Sequence, residues 1–278
     1  MKLSRRIANF LHNFGLGVTS GSNLASLYEA QQALTFMESK LSIFEKFYRK
    51  NPSKFSRFYL LNFSFLELIQ NSKSQLGQDL MALIVNEFKQ NGFFVEFGAT
   101  NGVSNSNTYL LEKKFGWEGI LCEPARFWKE SLISNRNVNL DFDCVWTKTG
   151  EIISFNETNN TELSTMSQFS ESDLHLNERL GGKNYEVRSV SLNDLLSRYD
   201  APFHIDYLSI DTEGSEFEIL KNFDFSKYRI KFISCEHNYG TNRDEIRNLL
   251  SRHGYELIYQ DFSQFDDWYV RKELIKAE

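Results

Sequence analysis

Acidic side chains end four short apolar segments of this 278-residue sequence, and each stands where a strand would pass into a loop. They are Glu96, Glu123, Asp211 with Glu213, and Glu236 with the adjacent His237. In open α/β sheets, ligands bind in the crevice beyond the carboxyl ends of the strands. If the four segments are neighbouring parallel strands, these groups meet at one site and can bind hydroxyls, hold a cation or accept a proton.

The first segment continues into a glycine-containing loop, VEFGATNG at residues 95–102. Gly98 is predicted to allow a tight turn, and Gly102 a close approach of the ligand. A dinucleotide-binding loop would carry a further glycine where Thr100 stands, and its pyrophosphate would be repelled by Glu96. A ligand with a cationic sulfonium and an amino group would instead be attracted. The alternative is a tight turn that binds nothing.

Glu123 follows the second apolar segment, where an acid is placed to accept hydrogen bonds from both hydroxyls of a ribose. The alternative is an ordinary strand-end acid that faces water. In the third segment, Asp211 and Glu213 precede Gly214 and a predicted helix, which places both carboxylates over the same crevice. Glu236 and His237 are predicted to end the next strand at the same edge.

Strand and helix patterns alternate after residue 74, which predicts an α/β fold with a mostly parallel sheet covered by helices on both faces. The predicted strands are 92–97, 119–122, 138–146, 207–210, 231–235, 255–259 and 268–271, with two β-like pieces at 151–155 and 186–192. The predicted helices are 75–89, 107–115, 126–134, 194–198, 217–222 and 243–253. We expect a Rossmann-like seven-stranded sheet whose last two strands, with no helix between them, form an antiparallel hairpin.

Residues 1–72 are predicted to form a separate helical extension of the α/β domain at 73–278, with amphipathic helices at 23–48 and 52–70. Their apolar faces suit a lid or a contact between copies of the chain, so a homo-oligomer is one expectation. The polar stretch at 156–185 is expected either to cover the acceptor site or to be a mobile surface loop.

Composition excludes several classes of protein. A net charge of -6 and a pI near 5.5 argue against nucleic-acid binding. No apolar run reaches the length of a membrane span, and the N-terminal residues are too polar for a signal peptide, so we expect a cytoplasmic protein. The cysteines Cys122, Cys144 and Cys235 are far apart in sequence and are predicted to be buried apolar residues rather than zinc ligands.

From about Ser74 to Arg271, the sequence resembles the FkbM family of methyltransferases. The likeness includes SQLGQD at 74–79, the long stretch FFVEFGATNGVSNSNTYLLEKKFGWEGILCEP, IDYLSIDTEGSEFEIL, EHN at 236–238 and DDWYV at 266–270. The resemblance implies S-adenosylmethionine as the methyl donor and O-methylation as the reaction. It also implies a hydroxyl of a sugar, a glycan or a glycosylated natural product as the acceptor.

Carried over by position, the resemblance assigns Glu96, Gly98 and Gly102 to the methionine part of the donor and Glu123 to its ribose. Asp143 would lie near the adenine. The SNSNT segment at 104–108 would cap the helix beside the donor. The whole predicted donor set is Glu96, Gly98, Ala99, Asn101, Gly102, Ser106, Asn107, Thr108, Glu123, Asp143 and Asp211.

The predicted catalytic residues are Asp211, Glu213, Glu236 and His237. Methyl transfer from a sulfonium is an in-line displacement, and a base beside the weakly acidic hydroxyl should accelerate it by ~100-fold or more. Asp211, nearest the expected methyl, and His237 are the two candidate bases. Asp211, Glu236 and His237 could also hold a divalent metal that acidifies the hydroxyl. We favour the metal-free base and assign no metal ligand.

Two other functions remain as alternatives. A nicotinamide-dependent oxidoreductase would use a similar fold, although the loop at residues 95–102 lacks its middle glycine. A catalytically inactive donor-binding module in a glycan-assembly complex would keep the fold without turnover, although every acid of the predicted donor site is present.

Overall fold

The computed structural model describes residues 65–171 and 176–275, together with isolated positions between 31 and 49. Its strands are β1 (Phe93–Phe97), β2 (Glu118–Cys122), β3 (Asn139–Asp141), β4 (Cys144–Trp146), β5 (Ile152–Glu157), β6 (Thr165–Met166), β7 (Lys183–Ser191), β8 (His204–Ile210), β9 (Arg229–Glu236), β10 (Tyr255–Ile258) and β11 (Asp266–Arg271). Its helices are α1 (Phe65–Asn71), α2 (Gln78–Val85), α3 (Tyr109–Phe115), α4 (Lys129–Asn135), α5 (Leu176–Arg179), α6 (Leu192–Arg198), α7 (Glu216–Lys221), α8 (Arg243–Arg252) and α9 (Gln260–Ser263).

The main sheet has seven strands in the order β10-β11-β9-β8-β1-β2-β3. The run from β3 to β9 is parallel, and β11 lies antiparallel between β9 and β10. The chain extends outward from β1 to β3 and then returns to β8, so the strand order reverses between β1 and β8. This is the predicted mostly parallel seven-stranded sheet with an antiparallel C-terminal pair, and its reversal point creates the crevice in which ligands bind.

Apolar side chains alternate between the two faces of the main sheet, as strand geometry requires. Phe94 packs on one face against residues of α2 and α3. Val95 and Phe97 pack on the other face against residues of α6, α7 and α8. Helices therefore cover both faces, and the strands are buried on each side along most of their length.

The predicted strand at 138–146 is wrong in one respect, because it is divided into β3 and β4 in different sheets. The backbone N–H of Asp143 donates to a carboxylate oxygen of Asp141 at 2.8 Å, which turns the chain between the two strands. β4 then pairs with β7, and the second sheet has the order β4-β7-β5-β6. The β-like pieces at 151–155 and 186–192 correspond to β5 and β7 of this sheet, which the sequence did not predict as a separate unit.

The prediction that no helix separates the last two strands is also wrong, because the one-turn helix α9 lies between β10 and β11. The predicted helix at 23–48 lies outside the described residues, apart from scattered positions that include 40–42. Of the predicted helix at 52–70, the part from residue 65 is described, and it belongs to α1. The division into residues 1–72 and 73–278 stays a prediction. No helix of the described residues is long and apolar enough to cross a membrane.

Candidate active site

A cavity of about 340 Å³ opens at the carboxyl ends of β1, β2, β8 and β9. The loop after β1 forms one wall, and the segment from Thr161 to Met166 lies across from it. Its acidic lining residues are Glu96, Glu123, Glu162, Asp211, Glu213 and Glu236. No lysine, arginine or histidine is found among its described lining residues, so the cavity suits a ligand that carries positive charge.

Glu96 ends β1 and is held in place by the segment that follows the glycine loop. Its carboxylate accepts hydrogen bonds from the Asn107 backbone N–H at 2.7 Å, the Thr108 hydroxyl at 2.5 Å and the Ser106 hydroxyl at 3.2 Å. Burial raises the pKa of Glu96, and these bonds together with nearby Arg136 oppose that shift. The predicted capping role of the SNSNT segment falls to Ser106, whose hydroxyl accepts from the Tyr109 backbone N–H at 3.1 Å.

Arg136, which the sequence did not reveal, organises this segment from the end of α4. Its fully buried guanidinium donates to the Gly102 carbonyl at 3.0 Å, the Ser106 hydroxyl at 3.1 Å and the Thr108 hydroxyl at 2.9 Å. It also pairs with the Glu112 carboxylate. Arg136 comes from a separate helix and no motif spacing marks it, so its role is visible only in three dimensions.

The two glycines of the loop have different roles. Gly98 has a φ of +73°, and a Cβ there would lie 1.9 Å from the backbone oxygen of Asp211. Only glycine therefore lets the ends of β1 and β8 approach so closely. Gly102 was expected to allow a close approach of the ligand, but it is not among the residues that line the cavity. A Cβ at Gly102 would instead meet the side chains of Arg136 and Leu132 at 2.6 and 2.7 Å.

Glu123 lies at the end of β2 and lines the cavity with its carboxylate held by the backbone. One oxygen accepts from the Thr100 N–H and the other from the Ala125 N–H, both at 2.8 Å. Burial nevertheless raises the pKa of Glu123 to about 7, since the two hydrogen bonds only partly offset the loss of hydration. Beyond Glu123, the cavity is lined by the less polar side chains of Pro124, Cys144, Val145, Phe155 and Met166.

Of the predicted donor set, Glu96, Gly98, Ala99, Ser106, Asn107, Glu123 and Asp211 line the cavity. Asn101, Gly102, Thr108 and Asp143 lie outside its lining. Asn101 accepts hydrogen bonds from two backbone N–H groups of its own loop. The Asp143 carboxylate faces Arg198 at 3.0 Å, because the turn between β3 and β4 directs it away from the cavity. The structure therefore does not bring Asp143 to the ligand space.

Three of the four predicted catalytic residues come together at the ends of β8 and β9. One carboxylate oxygen from each of Asp211, Glu213 and Glu236 lies within 4.8 Å of the others. Burial raises the pKa of Asp211 to about 6. Burial and the neighbouring Asp211 and Glu213 raise the pKa of Glu236 well above its ordinary value. Closely spaced buried carboxylates share protons or attract a cation, because they cannot all be ionised at low cost.

These three carboxylates are also the described residues that fit a divalent metal, since Mg²⁺ and Mn²⁺ prefer oxygen ligands. Glu213 already has a cationic partner, however. The guanidinium of Arg179 donates to its carboxylate at 2.7 Å, and the Asn238 side-chain amide donates to the same oxygen at 3.3 Å. A metal bound by Glu213 would compete with a buried ion pair.

His237 does not join this group, and its predicted placement in the cavity is wrong. Consecutive residues of an extended strand point to opposite faces of a sheet, so Glu236 faces the cavity and His237 faces away from it. The His237 Nδ1 accepts from the Tyr239 backbone N–H at 3.0 Å, and its Nε2 lies 3.7 Å from Asp267. Burial lowers the pKa of His237. A metal site of Asp211, Glu236 and His237 is therefore excluded by geometry.

The polar stretch at 156–185 covers part of the cavity, whereas the alternative expectation was a mobile surface loop. The residues of this stretch that line the cavity are Thr161, Glu162, Leu163, Ser164 and Met166. Arg179, a residue of α5 with no exposed side-chain surface, donates to the carbonyls of Leu163 at 3.0 Å and Phe169 at 3.3 Å as well as to Glu213. Arg179 thereby joins the covering segment to the acidic end of the cavity. Residues 172–175 lie outside the described part of the chain.

Asp266 extends the acidic edge behind Glu236 and was not predicted. The two residues are directly paired across β11 and β9. Gln78 at the start of α2 donates to the Asp266 carboxylate at 2.8 Å. Burial raises the pKa of Asp266 to about 7. The DDWYV motif contained the signal, since an acid opening an antiparallel strand beside β9 meets the end of β9.

Comparison with known sequences identifies the family. A sequence profile described as the methyltransferase FkbM domain matches residues 96–257, more than half of the chain. The chain belongs to the FkbM methyltransferase family. The matched segment begins at Glu96 and contains Glu123, Asp211 and Glu236, so it includes most of the cavity lining, with Gln75 and Phe265 outside it. A comparison with curated proteins finds no match.

Two solved methyltransferase structures are similar to this FkbM chain at low sequence identity. The methyltransferase FkbM from Methylobacillus flagellatus is 14% identical with a TM-score of 0.41, over 80% of this chain and 59% of that one. The precorrin-6y C5,15-methyltransferase from Geobacter metallireducens is 11% identical with a TM-score of 0.39, over 69% of this chain and 85% of that one. The chain thus spans less than two thirds of the Methylobacillus protein.

Proposed function

We propose that the cavity binds S-adenosylmethionine and that the chain transfers its methyl group to a hydroxyl oxygen of a sugar or glycan. The observation that carries this proposal is that one cavity contains two groups of carboxylates held in different ways. Glu96 and Glu123 are fixed by hydrogen bonds from their own loops. Asp211 and Glu236 lie close together at the ends of β8 and β9, and burial raises the pKa of each. The FkbM family membership supports methyl transfer.

The donor is proposed to lie along the ends of β1 and β2. Glu123 would accept hydrogen bonds from the ribose hydroxyls, since its backbone partners already orient both of its oxygens. Glu96 and the adjacent Asn107 would face the methionine part, where an ammonium group and a sulfonium bring positive charge. The less polar lining beyond Pro124 suits the adenine ring. Asp143 is not part of this proposal, because it lies outside the cavity.

The acceptor hydroxyl is proposed to approach Asp211. Its oxygen would attack the methyl carbon in line with the carbon–sulfur bond, which breaks with its electron pair left on sulfur. The hydroxyl proton would pass to the carboxylate of Asp211. The raised pKa of Asp211, about 6, makes this carboxylate a better base than an exposed aspartate near neutral pH. Glu213 would stay paired with Arg179 beside it.

Two measurements test this proposal. Titration calorimetry should show binding of S-adenosylmethionine and S-adenosylhomocysteine and no binding of NAD or NADP. Donor consumption should then be measured on nucleotide sugars, free oligosaccharides and lipid-linked glycans, with added Mg²⁺ and after chelation. Turnover that survives chelation would assign proton removal to the carboxylates, and turnover restored by Mg²⁺ or Mn²⁺ would assign it to a metal on them.

The same measurements decide between the alternatives. Nicotinamide binding in place of the sulfonium donor would overturn the proposal in favour of an oxidoreductase. Donor binding without turnover on any hydroxyl acceptor would favour an inactive donor-binding module. Neither alternative explains the close group of Asp211, Glu213 and Glu236, which a binding module does not require.

A further inference from the structure

A lysine far upstream of the FkbM domain lies buried against the segment that leads into α2. The Lys40 side chain has no exposed surface. Its Nζ donates to the Ser72 hydroxyl at 2.7 Å and to the Ser74 carbonyl at 2.9 Å. A buried ammonium group is costly unless it is paired and hydrogen-bonded. The buried Lys40 ammonium therefore requires a nearby counter-charge.

The counter-charge is Asp79 in the first turn of α2. The hydroxyls of Ser72 and Ser74 both donate to the same Asp79 oxygen, at 2.7 and 2.6 Å. The other Asp79 oxygen is buried without a hydrogen-bond partner. Lys40 and Asp79 thus form a buried charge pair joined through the Ser72 hydroxyl, while the Ser74 carbonyl accepts a second hydrogen bond from Lys40. Burial lowers the pKa of Lys40 to about 8, and Asp79 opposes this shift.

This cluster is directly connected to the wall of the cavity. Ser74 pairs with Asn105 as a parallel β-bridge, and the next residue, Gln75, lines the cavity with Asn105. The Ser74 hydroxyl also accepts from the Gly77 backbone N–H at 3.1 Å, which shapes the turn into α2. The Lys40 ammonium therefore donates to the carbonyl of Ser74, the residue whose β-bridge with Asn105 aligns the cavity wall at Gln75.

The start of α2 connects the cluster to the acidic side of the cavity as well. Gln78 accepts from the Leu76 backbone N–H at 2.9 Å and donates to Asp266 at 2.8 Å. Asp266 pairs directly with Glu236 across the sheet. A shift of the 72–78 segment would therefore move contacts at both sides of the cavity.

We propose that Lys40 is a positioning residue of the donor site, which holds the Ser74–Gln75 wall in place from outside the FkbM domain. The segment that carries Lys40 then helps to shape the cavity and is not a dispensable extension. This inference rests on the proposed binding of the donor in this cavity. It assigns Lys40 no contact with the donor itself.

The test compares Lys40→Met with Lys89→Met in the full chain. Lys89 forms another lysine–carboxylate contact, at 2.7 Å from Asp206, away from the cavity lining. Binding of S-adenosylhomocysteine by calorimetry should weaken about tenfold or more in Lys40→Met, as expected when a charge-assisted hydrogen bond that orders the site is lost. Lys89→Met should retain wild-type affinity, although both variants lose thermal stability. Lys40→Arg should recover part of the affinity.

Hydrogen exchange provides the second measurement. Backbone amides of residues 72–78 should exchange faster in Lys40→Met, whereas those of β9 should not change. Wild-type affinity in Lys40→Met, or an equal loss in Lys89→Met, would overturn the inference. If Lys40→Met does not fold, Ser72→Ala removes one acceptor of the ammonium and should weaken binding in the same direction. If the wild type binds no donor, the proposed function fails, while the exchange of residues 72–78 still decides the role of Lys40.

Discussion

The donor side and the acceptor side of the cavity are both acidic, but they are stabilised in different ways. On the donor side, the carboxylates of Glu96 and Glu123 accept hydrogen bonds from backbone N–H groups and hydroxyls of nearby loops. On the acceptor side, Asp211 and Glu236 are close to each other and to Glu213, whose described cationic partner is Arg179. The donor side is therefore arranged before any ligand binds, whereas the acceptor side has unbalanced negative charge.

This difference indicates how the work is divided. Carboxylates that are already fixed as hydrogen-bond acceptors favour tight binding of one ligand, because these side chains lose little conformational entropy when the ligand binds. The pKa of Glu123 on the donor side is raised as well, to about 7, so raised pKa values do not separate the two sides. What separates them is that the acceptor-side carboxylates lie within 4.8 Å of one another, where they can share a proton. Substitutions on the donor side should thus change affinity, and substitutions on the acceptor side should change turnover.

The largest expected effect comes from Gly98, the residue at which the two sides touch. A Cβ in Gly98→Ala would lie 1.9 Å from the Asp211 carbonyl oxygen, so one side must move. We expect a loss of stability of ~3 kcal/mol or more and loss of donor binding. Gly150→Ala is the matched control, since Gly150 also has positive φ but no atom within 4 Å of its Cβ. It should cost only ~1–2 kcal/mol in thermal unfolding. Equal losses in both variants would contradict the close approach of the two sides.

Asp211→Asn should separate turnover from affinity. The variant keeps the shape of the side chain but cannot accept the hydroxyl proton, so donor consumption should fall by ~100-fold or more. Affinity for S-adenosylhomocysteine should remain at the wild-type level. The control is Glu162→Gln, a lining carboxylate outside the trio, which should retain turnover. Retained turnover in Asp211→Asn would remove it as the base.

Glu123 provides a test by pH on the donor side. Its pKa is raised from 4.5 to about 7, so the folded state binds more protons than the unfolded state between these values. The resulting stability is fully present below pH 4.5 and is lost as the pH rises through 7. The wild type should therefore lose up to ~3 kcal/mol relative to Glu123→Gln over this interval in chemical unfolding. Donor affinity of the wild type should increase over the same interval, because the ionised carboxylate is the better acceptor. A stability difference independent of pH would argue against a buried, titrating Glu123.

His237→Gln should have the smallest effect. His237 faces Asp267 rather than the cavity, so the pH dependence of turnover should keep its shape and its rate should change only a few-fold. Glu236→Gln, its neighbour on the cavity side, should change the pH dependence. Loss of a limb near neutral pH in His237→Gln alone would restore the histidine as a candidate base.

Local sequence patterns located parts of both sides of the cavity for a physical reason. Glu96, Gly98 and Glu123 lie in short segments whose glycine and acid positions determine local geometry. Convergence of Asp211 and Glu236 also followed, since parallel strands end at one edge. The placement of His237 failed because it depends on the side-chain alternation at the end of β9, which is determined by strand register.

Other parts of the site depend on contacts between distant segments. Arg136 reaches the glycine loop from α4, and Arg179 reaches Glu213 from the covering segment. Asp266 meets Glu236 only because β11 inserts between β9 and β10. No local pattern encodes the contacts of the two arginines, whereas the DDWYV motif did place an acid at the start of β11. The division of the predicted third strand depended on a single hydrogen bond from Asp143 to Asp141, which periodicity does not reveal.

The pairing of Glu157 with Lys183 at the ends of β5 and β7 has a consequence for engineering. The covering segment between them leaves β5 and returns to β7 at one place, and its own short strand β6 pairs with β5. It can therefore be treated as a cassette, whose two joints stay adjacent when its length or sequence changes. Exchange of this cassette between relatives would replace one wall of the cavity while β1 and β2 keep their register. Acceptor preference could then be varied independently of donor binding.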